Sequence, residues 1–467
     1  MPLSKLSASS LALCLGLLGA CSLAPRYQRP EAPIPTAYPA VPASQQAGDR
    51  ARLDDWQQQF TDPVLRQMIG QALEHNRNLR VAALRIEEAR ALYGVQASER
   101  LPTLEASGRY ERERMRGETR EAGQVEQRYR VAAGISAFEL DFFGRVKNLG
   151  DAALADYLAS EEAQRSARIA LIAEVAGGYV QERALYAQQR LAERTLHARE
   201  NGLALVRKRY AAGMSTRIDL RSEEMLVESA RATHAALVRE RSQAVSGLQL
   251  LLGDFTGDWQ DSQLDLEHLQ LQPLPAGLPS ELLARRPDIR QAEQQLRAAT
   301  ANRGAARAAF FPSLRLSTDL GSASSGLHGL FRGGSRVWTF SPQMTLPIFD
   351  GGRNRANLDL AEVRKDIAVN RYEESIQVAF REVADALSAG DQRERQLRAP
   401  RAVRAADRER LQLVRKRYAK GVANYLEMLD AQRSLFDSEQ QLIHLRGLRL
   451  NNGVALYRAL GGGWSQG

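Results

Sequence analysis

The chain has 467 residues, long enough for two to four domains of ordinary size. Its formal charge of +9 (+8 once Lys5 is removed with a leader) comes from 64 Lys and Arg against 55 Asp and Glu. The two signs are interspersed, as at Glu87-Glu88-Arg90, Glu161-Glu162-Arg165 and Arg381-Glu382-Asp385. Such mixing marks solvated helix faces, so nucleic acid is not an expected partner.

In chain order, the first twenty residues read as a secretory signal. Lys5 gives a short basic region, Leu11 to Leu18 an apolar run too short to span a bilayer, and Leu18-Gly19-Ala20 a small-residue site before Cys21. Leu-Gly-Ala-Cys resembles the bacterial lipobox, which implies cleavage before Cys21, acylation of that residue and anchoring in outer-membrane lipid. Cys14 lies in the leader, so Cys21 is the single mature thiol and no disulfide or thiolate metal site can form. Residues 21–61 are expected to be a lipid-anchored arm, extended where six prolines crowd positions 25–42. Downstream, no apolar run is long enough for a membrane helix, which leaves β-strands as the only means of crossing.

The rest reads as one unit written twice. Leu203-Ala-Leu-Val-Arg-Lys-Arg-Tyr-Ala-Ala-Gly213 returns as Leu411-Gln-Leu-Val-Arg-Lys-Arg-Tyr-Ala-Lys-Gly421, an offset of 208. The same offset relates Gly144-Arg145 to Gly352-Arg353 and Leu252-Gly253 to Leu460-Gly461. Two structural repeats follow, 62–253 and 281–462, joined by an equatorial linker at 254–280 and closed by a tail at 463–467.

Each repeat has the same predicted plan. A helix over 62–101 stops at Leu101-Pro102, because proline disfavours helix in the residue before it. A hairpin at about 103–140 follows, with Leu104, Ala106, Gly108 and Tyr110 alternating against polar neighbours, then Tyr129, Val131, Ala133, Ile135 and Ala137. A long helix over 145–210 reaches roughly 100 Å at 1.5 Å per residue, ends in Arg-Tyr-x-x-Gly, and turns into a return helix at 218–252. The second repeat predicts a helix, a hairpin at about 313–348 with a Gly/Ser-rich loop at 321–336, a long helix at 353–418 and a return helix at 424–460. Pro400 sits inside that long helix and should bend it near Ala399.

Four membrane-length strands cannot close. In hydrocarbon every backbone N–H and C=O needs a partner, and closed membrane barrels begin at eight strands. Copies must therefore pool their strands. Three give a twelve-stranded barrel with an open lumen, and their helices continue it as a helical barrel. The expected fold class is mixed: all-α plus transmembrane β, a trimeric outer-membrane barrel continued by a long periplasmic helical barrel.

At this point the chain resembles the outer membrane factors of the TolC family, in their lipidated OprM-like (NodT-type) branch. The carriers are the lipobox, Leu23-Ala-Pro-Arg-Tyr-Gln-Arg-Pro30, the paired Arg-Tyr-x-x-Gly turns, Ala379-Phe-Arg-Glu-Val-Ala384, Leu429-Asp-Ala-Gln-Arg-Ser434 and Ala459-Leu-Gly-Gly-Gly-Trp464. The resemblance implies a homotrimeric channel-tunnel that a periplasmic adaptor and an RND-type inner-membrane pump recruit for multidrug efflux. It also places a periplasmic gate at Glu427 and Asp430, an apolar constriction at Leu426, and ties between helices at Tyr418 and Asp219. Where the family has an arginine after the second turn this chain has Ala423, with Arg433 as a partial substitute. Glu427 and Asp430 share a helix face, and threefold rings of them should favour cations and raise their own pKa values. Gly213, Gly421, Arg209 and Arg417 mark tip turns that suit adaptor docking.

Catalysis finds no support in the sequence. The six histidines (75, 197, 234, 268, 328, 444) are scattered without metal-ligand spacing, and no phosphate loop, nucleophile elbow or cofactor motif occurs. A type I secretion duct of the same fold remains the alternative reading.

Overall fold

The computed structural model describes residues 27–35, 37–38, 55–114, 125–255, 266–274 and 279–462. The leader, Cys21, most of the arm and linker, and the 463–467 tail lie outside the described residues. The chain divides into two compact units. One comprises Met1–Glu31, Arg85–Glu161 and Gln291–Glu373, the other Ala32–Leu84, Glu162–Arg290 and Glu374–Gly467.

The first unit contains the sheet. Strands β1 (Leu104–Arg114), β2 (Val125–Leu140), β3 (Ser313–Ser324) and β4 (Arg336–Thr345) pair antiparallel in the order β1-β2-β3-β4. Successive strand residues point to opposite faces, so register sorts them into two surfaces. Leu104 lies opposite Ile135, Ala106 opposite Ala133, Tyr110 opposite Tyr129, Leu320 opposite Trp338 and Leu314 opposite Met344 on one face. The other face carries Glu105, Ser107, Arg109, Arg130, Asp319, Thr339 and Ser341, with Arg130 paired to Asp319 and donating to Thr339 Oγ1 at 3.1 Å.

Leu104, Tyr110, Leu320, Trp338, Phe340 and Met344 are all exposed in the single chain. An apolar face this continuous is costly in water and suits hydrocarbon.

Two strand expectations change. The alternation predicted through Ala137 breaks, because a bulge between Ile135 and Phe138 sets two residues of β2 against Ser317 of β3. Ala137 takes φ 53°, and its amide donates to Ser317 Oγ at 3.1 Å. The predicted loop at 321–336 is shorter, since β3 runs on to Ser324 against the long β2. Gly321 permits this: a Cβ there would lie 2.2 Å from the Val131 carbonyl oxygen.

Nine helices and a 3-10 turn at Leu327–Gly329 complete the described elements. They are α1 (Trp56–Gln59), α2 (Pro63–His75), α3 (Arg77–Ser98), α4 (Arg145–Ala211), α5 (Arg217–Leu252), α6 (Pro279–Arg285), α7 (Pro287–Ala308), α8 (Arg353–Ala419) and α9 (Tyr425–Ala459). Helices α4 and α8 each hold 67 residues, and both ends differ by 208. Each begins after a glycine in the left-handed region, Gly144 (φ 75°) and Gly352 (φ 87°).

The single helix expected over 62–101 is two, broken at Asn76. That residue is extended; its Oδ1 accepts from the Leu79 amide at 3.0 Å and its Nδ2 donates to the Leu251 carbonyl at 2.8 Å. A side chain that satisfies both a helix start and a neighbouring carbonyl makes the break favourable. At the matching place in the second repeat, Arg286 separates α6 from α7. It is buried and donates to Glu382 at 2.7 Å and to the Ala459 carbonyl at 2.9 Å. Helix α8 runs unbroken through Pro400.

The second unit has the larger core. Trp56, Phe60, Leu65 and Ile69 pack with Ile172, Val175, Ala176 and Tyr179 of α4, Leu248 and Leu252 of α5, and Leu450 and Tyr457 of α9. Helix α4 comes close enough to α5 that a Cβ on Gly178 would sit 2.8 Å from Leu248.

Candidate functional site

Both helical hairpins turn by the same device. Gly213 (φ 74°) and Gly421 (φ 75°) take the left-handed conformation. The Met214 amide then donates to the Arg209 carbonyl at 2.8 Å, and the Val422 amide to the Arg417 carbonyl at 2.9 Å. These six-to-one bonds satisfy carbonyls that the helix ends would otherwise orphan. Thr216 and Asn424 cap the return helices, accepting from the Asp219 and Glu427 amides at 3.1 and 2.8 Å.

The caps then diverge. Asp219 folds back and accepts from the Thr216 amide at 2.9 Å and the Thr216 and Ser215 hydroxyls at 2.8 and 3.1 Å. These bonds, the Thr216 amide first, hold its carboxyl below the usual range. Within the chain, Asp219 is therefore engaged by its own turn. Tyr418 accepts from Arg209, whose guanidinium lies 5.1 Å from the tyrosine ring centroid, so the two turns are joined by that pair.

Glu427 stands free of its cap and approaches Arg417 at 3.6 Å. Asp430 accepts from Arg410 at 2.6 Å and from Arg433 at 3.3 Å. Within the single chain, Arg410 holds the Asp430 carboxyl below its ordinary value. The physical reason is proximity: two guanidiniums of its own chain reach the group. Leu426 is 73% exposed, one turn before Asp430.

Three further residues were not singled out in the sequence. Glu223 of α5 is buried, accepts from the Tyr425 hydroxyl of α9 and faces Arg199 of α4. Burial first, then the Glu223 bond, push the Tyr425 hydroxyl upward. The Tyr418 and Tyr425 rings lie 5.7 Å apart, so Arg209, Tyr418, Tyr425 and Glu223 connect α4, α8, α9 and α5 in one run of contacts. The available signal was phase: Glu223 stands four residues before buried Val227, on the apolar side of its helix. Near the arm, Arg29 and Tyr27 donate to Glu293 at 2.5 and 3.1 Å, and Arg297 lies 4.8 Å from the Tyr27 ring.

A sheet with an apolar outer face and two repeated helical hairpins defines the class of outer-membrane channels. Residues 68–254 and 278–462 match the outer membrane efflux protein family, and the chain belongs to it. Outer membrane protein OprJ of Pseudomonas aeruginosa is 47% identical over 453 residues, covering 96% of this chain and 94% of that one. The solvent efflux pump outer membrane protein SrpC of Pseudomonas putida is 45% identical over 455 residues, with 96% and 97% covered. The open-state structure of the Neisseria gonorrhoeae MtrE outer membrane channel superposes with a TM-score of 0.87 at 38% identity, over 96% of this chain and 99% of that one. The chain is an outer-membrane efflux component.

Proposed function

We propose that three copies form the exit duct of a tripartite efflux pump, conducting drugs, solvents and similar small amphiphiles passively out of the cell. The observation that carries this is the four-stranded sheet with one apolar face and two unpaired edges, β1 and β4. Pairing β4 of one copy with β1 of the next satisfies both edges and leaves the Arg130–Asp319 face to line a wet lumen. Acylated Cys21 tethers the arm to the outer membrane. The adaptor and an RND-type pump engage the turns at Gly213 and Gly421, beside Arg209 and Arg417. Cargo breadth is supported by the likeness to SrpC, whose name specifies solvent efflux.

The gate lies at Leu426, Glu427 and Asp430, with Arg433 and Arg410 holding Asp430, Tyr418 joining the turns and Asp219 capping the first. In planar bilayers, Glu427→Ala with Asp430→Ala should raise single-channel conductance several-fold and weaken cation preference. Unchanged conductance and selectivity would remove the gate assignment. Deletion of the gene should sensitise cells to drugs and solvents; if instead only a secreted protein is retained, the type I duct is the correct reading.

A further inference from the structure

A small cavity of about 110 Å³ opens between α4, α5 and α9, lined by Ala192, Thr195 and Arg199, by Leu226, Ser229, Ala230 and Thr233, and by Arg433 and Phe436. Arg199 is 8% exposed, and among the described residues its Nη1 has no hydrogen-bond partner although almost no solvent reaches it. A buried guanidinium nitrogen without an acceptor is costly, and that cost argues for an acceptor that the described residues do not provide. The cavity wall offers little in that role. The Thr195 and Thr233 hydroxyls donate to the carbonyls of Leu191 and Ser229 at 2.9 and 3.0 Å, neither they nor the Ser229 hydroxyl accepts from Arg199 Nη1, and the remaining wall is apolar or cationic.

We propose that this cavity is a binding site for a small inorganic anion, a halide or a compact oxyanion, held by Arg199 from within and by Arg433 at the mouth. Three features select this class. The two basic side chains that line the cavity have no carboxylate beside them in its wall. The Ser229 hydroxyl adds a further donor. The volume is several times that of one water and too small for a drug-sized molecule. Glu223, on the same helix as Ser229, faces Arg199 but is bonded to Tyr425 and does not line the cavity. Arg433 also donates to Asp430 at 3.3 Å, so an occupant and Asp430 draw on one guanidinium. The site itself does not rest on the gate assignment.

Bromide tests it. Crystals of the full-length protein soaked in sodium bromide should show an anomalous peak within hydrogen-bond reach of Arg199. In Ala230→Leu the added side chain fills the cavity while Arg199 stays in place, and the peak should vanish. In solution, exchanging gluconate for chloride at constant ionic strength should raise the Tm of the wild type and leave that of Ala230→Leu unchanged, since a ligand that binds the native state alone stabilises it. Arg199→Gln should lose both signals. An empty cavity in wild-type crystals, bromide confined to exterior side chains, or an equal Tm response in Ala230→Leu overturns the proposal.

Discussion

At the scale of single residues, the two tips show how one carboxylate position serves two ends. Asp219 and Glu427 are separated by the repeat offset of 208, and both stand three residues into a return helix. The shorter Asp219 reaches back to the Thr216 amide and completes a capping box, while Glu427 extends towards Arg417. Asp219→Ala should therefore destabilise the first turn by about 1 kcal/mol, the ordinary worth of such a cap. Because the folded Asp219 carboxyl titrates below its unfolded value, its contribution is complete above about pH 4 and fades as the pH falls through the lowered value. Thermal melts of wild type and Asp219→Asn between pH 2 and 7 should converge at the acid end. A constant difference across that range would mean that the cap is not what the carboxylate supplies.

Elements explain what residues alone do not. Helices α4 and α8 are equally long, yet α8 carries Pro400 in its interior. That proline removes the N–H that would bond the Gln396 carbonyl, and its ring crowds the preceding turn. The helix nevertheless continues, because Leu397 is fully buried beside it and Leu411 and Val414 pack against Ala431 of α9 further along. Tertiary packing overrides propensity here. Pro400→Ala should raise stability, by up to about 3 kcal/mol, and be read as a higher Tm with unchanged drug susceptibility. A lower Tm would show that the native helix is built around the proline. Gly321 illustrates the opposite limit. It lies within β3 because the backbone of β2 leaves no room for a side chain, a restriction visible only once the strands are paired.

For the whole molecule, the distinction between the two sheet faces is the testable core. Leu320→Arg places a charge on the apolar face and should cost up to about 2–4 kcal/mol, seen as loss of heat-resistant oligomer on gels. Ser341→Arg, on the polar face of β4, should assemble normally and change ion selectivity. If both variants assemble alike, the face assignment fails, and with it the shared barrel.

The sequence was enough to establish the repeated plan, the long helices, the glycine turns and the four strands. Those features are written in local periodicity and in the offset between Gly213 and Gly421. Strand count together with the demand for satisfied backbone groups carried the reading as far as a shared barrel. Other features depended on which residues meet across the fold. Asn76 breaks a helix because Leu251 is there to accept from it, and the bulge at Ala137 exists because Ser317 lies opposite. Asp430 is held by Arg410, twenty residues earlier on another helix, so no reading of its own helix face could foresee a lowered carboxyl. Hydrogen bonds and ion pairs between distant segments depend on packing geometry, and periodicity carries no record of it.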